Sequence, residues 1–436
     1  MTAGEATGER VSASTGSSTP GSTTAGSSAG RRLRTITIDQ AISSASNVLV
    51  SILAARALGV SDFGWFGLVL ITYVATQGAA RALVGEPLLV RPAEAESRPG
   101  EAIGTGLVLS TGIALVVVAA GLVTTTVQRD LGLGLVALGA FIPLVFLQDL
   151  GRYLAFATHV PRRALVLDLT WLVLLVVAIG VVLASGSRSL VLFVVAWAGS
   201  GALAGLLVPL SYRHSRIRLG LGWLRETWPF SWRYALSFAS MQGASLGVSV
   251  AIVGIAGSRA LGAVRGALLL LGPFTQFQAA AIAAGVAEVS RMEAGAAAVA
   301  RHVRRTTTLT AGLAVANATV LLLLPDALGR LVLGATWAPT ERLLWPACVQ
   351  MVLLGLISGV RSALLGLKVV RTTTTLDIVG TAVTLGATVV GAFVNGSLGA
   401  FWFLAAAQGV VAIMWWSTYL TRGHLPDPTI DPNRSE

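Results

Sequence analysis

Ala54-Ala55-Arg56-Ala57-Leu58-Gly59-Val60-Ser61-Asp62-Phe63-Gly64-Trp65-Phe66 ends one long apolar run and begins the next. Its two glycines and the Ser61-Asp62 pair are the residue types of a tight turn, where a β-carbon is poorly tolerated. The stretch therefore predicts a short hairpin between two hydrophobic helices, with Arg56 capping the end of the first. Working outward in both directions, the same alternation of apolar run and short polar break continues.

Composition sets the class. The chain has 436 residues, of which 54% are hydrophobic and 12% charged, and its mean hydropathy is +0.76. Soluble domains carry about 25% charged residues, so this is an integral membrane protein. The formal net charge is +11, carried almost wholly by arginine, since Lys368 is the only lysine. These basic residues sit in short loops and form no basic domain, so nucleic acid is not an expected partner. One cysteine, Cys348, excludes a disulfide framework and any cysteine-based metal site. The four histidines are scattered, and no cofactor or metal is expected.

Residues 1–34 read as a Ser/Thr/Gly-rich disordered tail ending in a basic cluster, Arg31-Arg32 and Arg34. A bilayer needs about 20 apolar residues per helical span. Runs of that length fall at 35–58, 64–90, 102–127, 131–157, 164–185 and 189–211, then at 229–257, 261–289, 305–325, 341–367, 373–395 and 398–421. The fold expected is all-α, with about twelve spans in two six-helix lobes, 35–211 and 229–421. Residues 212–228 form the linker between them, and 422–436 a second tail. The runs 64–90 and 261–289 are long enough to tilt or kink.

Loop charge orients the chain. With the N-terminus inside, nineteen basic residues from Arg31 to Arg434 fall on the cytoplasmic side. Five, Arg129, Arg188, Arg259, Arg330 and Arg342, fall on the other. Both termini are then cytoplasmic, in the cytoplasmic membrane. The linker holds Arg213, Arg216, Arg218, Arg225, Trp223 and Trp228, which fits an amphipathic segment on the inner leaflet or an inter-lobe connection anchored by interfacial tryptophans.

The halves echo each other. Arg56-Ala57-Leu58-Gly59 recurs as Arg259-Ala260-Leu261-Gly262, and Arg152, Arg162 and Leu167-Asp168 recur as Arg361, Arg371 and Leu376-Asp377. Six spans per half give both repeats the same topology, related by an axis along the membrane normal.

The hairpin, read as Arg56, Gly59, Asp62, Phe63 and Gly64, resembles the junction of spans one and two in the polysaccharide-exporter branch of the MOP superfamily, the Wzx-type flippases of lipid-linked oligosaccharides. Val60 stands where that family usually has proline. Leu331-Val332-Leu333-Gly334-Ala335-Thr336-Trp337-Ala338-Pro339 resembles the stretch such exporters carry between spans nine and ten. The resemblance implies a cationic cavity between the lobes and a lipid-linked glycan as substrate. It also implies membrane lipids and glycan polymerase or assembly proteins as partners.

Charged residues inside spans are functional candidates by default, at an insertion cost of about 2.5–3.5 kcal/mol each. Arg81, Arg233, Arg265 and Arg361 are the candidate cavity cations, because guanidinium groups bind phosphate bidentately and stay charged. Asp39 is the candidate for coupling to a proton or Na⁺. The structural alternative pairs Asp149 with Arg152, Arg152 with Asp168, and Arg361 with Asp377. Gly201/Gly205 and Gly243/Gly247 read as close helix packing, and Gln77, Gln148, Gln242, Gln276, Gln278, Gln350 and Gln408 as interhelical hydrogen bonds or as sugar contacts from a cavity wall. No enzyme signature is present. The function expected is a flippase moving a polyprenyl-diphosphate-linked oligosaccharide by alternating access. The alternative is a multidrug cation antiporter of the MATE type, which would want buried acids without neighbouring arginines.

Overall fold

The computed structural model describes residues 48–291, 296–367 and 369–422. Asp39, the tail 1–34 and residues 423–436 lie outside the described residues. Eight continuous helices are long and apolar enough to cross a bilayer, which makes this a multi-pass membrane protein. Gly257, at φ 82°, breaks Gly222–Arg291 into two, and Asn395 and Gly396 break Val370–Arg422. With Val48–Ala57 and Ala296–Leu322 these make twelve main helices among the described residues.

In chain order they are α1 (Val48–Ala57), α2 (Val60–Val90), α3 (Pro99–Thr125), α4 (Arg129–Ala157), α5 (Pro161–Ala184) and α6 (Leu190–Ser211). There follow α7 (222–256), α8 (258–291), α9 (Ala296–Leu322), α10 (Trp337–Gly366), α11 (370–394) and α12 (397–422). Each half is built round its fourth helix: α4 packs against α2, α3, α5 and α6, and α10 against the α7–α8 and α11–α12 rods and α9. The connections 91–98, 158–160 and 212–221 lie on one face of the bundle, called here the arginine-rich face; 58–59, 126–128 and 323–336 lie on the opposite face.

The opening hairpin is tighter than its glycines predict. Gly59 is extended (φ −67°, ψ 160°), no neighbour would touch a β-carbon there, and α2 restarts at Val60. Gly64 is inside α2 rather than in the turn. Its role is contact between the halves, because a β-carbon there would run into the Ser258 carbonyl of α8. Gly262 meets the Val60 carbonyl in the same way. In a bilayer, where lipid is as apolar as leucine, such close backbone approach is what holds helices together. The second exporter-like stretch docks on the first: Thr336 Oγ1 donates to the Ala55 carbonyl at 3.2 Å, and Gly334 (φ 56°) lies on the Arg56 backbone. Arg56 thus joins a contact between the halves.

Gly201 packs on Trp171 and Gly205 on the Leu144 carbonyl, as their spacing predicts. Among the described residues Gly243 and Gly247 make no such contact: no neighbour would lie within 4 Å of a β-carbon at either. The linker is also closer to the protein than an inner-leaflet helix would be. Residues 212–221 run as an irregular strap over α3, with Arg218 N–H donating to the Gly100 carbonyl (3.3 Å) and Thr105 Oγ1 to the Gly220 carbonyl (2.8 Å). Gly100 and Gly104 admit it, since a β-carbon at either would meet the strap's backbone. Trp223 is fully buried beside Leu88, Ile103 and Leu154, whereas Trp228 is half exposed.

Candidate functional site

A cavity of about 890 Å³ runs beside α2 from Leu70 to Leu89. At 1.5 Å per residue that is roughly 28 Å, from one side of the bundle's middle to the arginine-rich face. Its walls come from α1 (Val50, Ser51), α2, α4, α5 (Trp171), α6 (Trp197), α7 (Gln242, Ser245) and α8 (Arg265); α9 to α12 contribute none of the lining residues. The contacts of Gly64 and Gly262 close the bundle at the opposite face.

Among the described residues, three arginines, Arg81, Arg152 and Arg265, and one acid, Asp149, line the space. Arg81 opens a π-helical turn, Arg81–Gly85, in α2. Such widened turns frequently mark functional sites. Its Nε and Nη2 each donate to Asp149 at 2.6 Å, a bidentate pair. Asp149 also lies 3.6 Å from Arg152 Nη1, and Arg152 Nε lies 3.2 Å from Asp168 Oδ1. Gln148 Nε2 donates to the same Asp168 oxygen at 2.8 Å. One connected, largely buried network therefore ties α2, α4 and α5 together.

Arg265 is different. No ion pair forms at this guanidinium among the described residues. Nη2 donates to the Gly67 carbonyl at 3.1 Å, and Nε is buried without a hydrogen-bond partner. Around these charges stand Tyr73, whose hydroxyl accepts from Gln77 Nε2 (2.6 Å), and Trp197, edge-on to the Tyr73 ring at 4.8 Å. Trp171 and Tyr153 complete a wall of polar-tipped aromatics.

The four candidate cations separate cleanly. Arg81 and Arg265 reach the cavity. Arg233 is exposed, stacks on Trp232 and donates to its own helix at the Pro229 carbonyl (3.2 Å). Arg361 pairs with Asp377 at 2.9 Å beside the Trp415 ring, outside the cavity lining. Arg152, read in sequence only as a structural partner, lines the cavity. Gln77 and Gln242 line it too, while Gln278 donates to the Leu354 carbonyl across α8 and α10 (2.7 Å).

No family profile and no curated protein matches this sequence. Solved structures do match. An inward-facing multidrug resistance MATE-family transporter of the MOP superfamily aligns over 90% of this chain and 98% of its own, with 15% identity and a TM-score of 0.67. The lipid II flippase MurJ, in an inward closed conformation, aligns over 88% of this chain and 87% of its own, with 11% identity and a TM-score of 0.65. A MOP-superfamily transporter from Pyrococcus furiosus, described as having a binding pocket of reversed polarity, aligns over 91% and 95%, with 15% identity and a TM-score of 0.57. At these identities the fold is what is shared. It is the fold seen in the MATE-family transporter and in MurJ.

Proposed function

We propose that this protein is a flippase for a polyprenyl-diphosphate-linked oligosaccharide, working by alternating access between the halves 35–211 and 229–421. The observation that carries this reading is Arg265. An intramembrane arginine costs about 2.5–3.5 kcal/mol, and a cation kept there with no carboxylate partner among the described residues is a site for an anion brought by the ligand. A diphosphate between Arg265 and the Arg81–Arg152 end of the cavity would be held by guanidinium forks in a medium of low dielectric. Trp171, Trp197 and Tyr73 offer apolar faces and polar edges suited to sugar rings. The antiporter reading needs a free acid, and Asp149, the acid among the described lining residues, is taken up by Arg81 and Arg152. In this reading the arginine-rich face is cytoplasmic, the membrane is the cytoplasmic membrane, and Asp39 is the candidate for ion coupling.

The test is the fate of lipid-linked intermediates in cells lacking the protein. Extraction, mass spectrometry and an impermeant hydrolase should find one defined species accumulated on the cytoplasmic leaflet. Absence of accumulation, together with new sensitivity to cationic drugs, would overturn the flippase in favour of the antiporter.

A further inference from the structure

Arg265 belongs to two structures at once. Its guanidinium faces the cavity, and its stem lies against the seal that closes the opposite face. Gly67 makes this possible: a β-carbon there would stand 2.7 Å from Arg265 Cγ and 2.9 Å from Nε. Three residues nearer the opposite face on each helix, the seal is backbone on backbone, Gly64 on the Ser258 carbonyl and Gly262 on the Val60 carbonyl. The hydroxyls of Ser61 and Ser258 hydrogen-bond across the same seam.

The guanidinium edge formed by Nε and Nη2 is the one Arg81 presents to Asp149. In Arg265 that edge carries a neutral carbonyl on Nη2 and nothing on Nε. A phosphate filling both donors makes charge-assisted bonds about twice as strong as a neutral one, and it ends the cost of a buried unsatisfied donor. Nε is buried against Gly67, so an anion reaches this edge only as the guanidinium shifts off the Gly67 carbonyl.

We infer that Arg265 is the trigger of the opposite-face gate: an anionic phosphate or diphosphate group entering the cavity draws its guanidinium off Gly67 and releases α2 from α8. This rests on the transport reading above and adds to it how an occupied cavity is sensed. An empty cavity keeps the Arg265–Gly67 latch closed. Passage of an uncoupled leak is thereby suppressed.

The test uses the full-length protein in lipid nanodiscs with Cys348→Ser, Ser61→Cys and Ser258→Cys, the last two placed to form a disulfide only when the seal is closed. Farnesyl diphosphate is the probe and farnesol its uncharged control. Its binding is measured separately by equilibrium dialysis. Saturating farnesyl diphosphate should slow disulfide formation at least fivefold, and farnesol should not. Adding Gly67→Ala, which crowds the stem and keeps the charge, should give slow cross-linking without probe while binding persists. Adding Arg265→Gln, which keeps a donor and removes the charge, should give fast cross-linking that ignores the probe. Arg265-dependent binding with an unchanged cross-linking rate would overturn the trigger and leave the flippase reading standing. Absence of Arg265-dependent binding would overturn both.

Discussion

Burial separates charges that look alike in the sequence. Asp149 and Asp377 each sit opposite an arginine, but the Asp149 side chain is 4% exposed and that of Asp377 41%. Breaking a buried pair strands its partner and costs about 3–5 kcal/mol, whereas an exposed pair contributes up to about 1 kcal/mol. Asp149→Ala should therefore destabilise the protein by about 3 kcal/mol, and Asp377→Ala by less than about 1 kcal/mol, read from unfolding in mixed micelles. The four arginines divide by function in the same way. Arg265→Ala should weaken binding of farnesyl diphosphate at least tenfold, and Arg233→Ala or Arg361→Ala less than twofold, measured by equilibrium dialysis. A loss for Arg361→Ala as large as that for Arg265→Ala would end the assignment. The pairs Asp149–Arg152, Arg152–Asp168 and Arg361–Asp377 were legible because helical spacing and short loops force those neighbours together. Which arginine faces the cavity was not legible. Helices apolar on every side carry no stripe to say which way a residue points.

At the scale of elements, the segment 212–228 reads as an amphipathic inner-leaflet segment or as an inter-lobe connection anchored by tryptophans, because it mixes arginines with Trp223 and Trp228. Its first part proves to be a strap over α3. Spacing alone could not report Gly100 and Gly104, which open a groove for its backbone. The strap's far end is clasped by Arg98, whose Nη2 lies 2.9 Å from Glu226 Oε2. Arg98 hydrogen-bonded to Glu226 holds that carboxyl below the usual carboxylate range. A carboxylate whose pKa is lowered by folding contributes at neutral pH and loses that contribution as pH falls through the lowered value. Amide exchange at 216–221, corrected for intrinsic rate, should thus accelerate on acidification below the ordinary glutamate range. In Glu226→Gln it should be fast at neutral pH already and gain less on acidification. Equal pH dependence in both proteins would show that the clasp does not hold the strap.

At the scale of the molecule, helix order and most boundaries were legible, because length and hydropathy are local properties. However, α7 and α9 begin at Gly222 and Ala296, well before the runs 229–257 and 305–325, and the start of the run 35–58 lies outside the described residues. Two breaks, at Gly257 and at Asn395-Gly396, separate helices that otherwise run on, and the positive φ of the glycines explains why sequence placed boundaries there. The contact between the two exporter-like stretches was invisible, since Ala55 and Thr336 are 281 residues apart. Orientation is read from arginine distribution alone and has a direct check. With Cys348→Ser as background, Ser187→Cys should react with an impermeant maleimide on intact cells, and Ser215→Cys only after permeabilisation. The reverse pattern would invert the proposed topology.

The cavity's walls, drawn from α1, α2 and α4 to α8, divide labour unevenly between the halves. On the proposed function, recognition falls to the stretch from Val50 to Arg265, since α9 to α12 supply none of the described lining residues. Selectivity should then be inherited through the first part of the chain. A chimaera that keeps residues 1–291 and takes the remainder from a relative with another cargo should retain the donor's choice of ligand, and a switch of ligand would show that the distant helices take part in recognition. A transporter arranged in this way could change its cargo through α1 to α8 and leave α9 to α12 untouched.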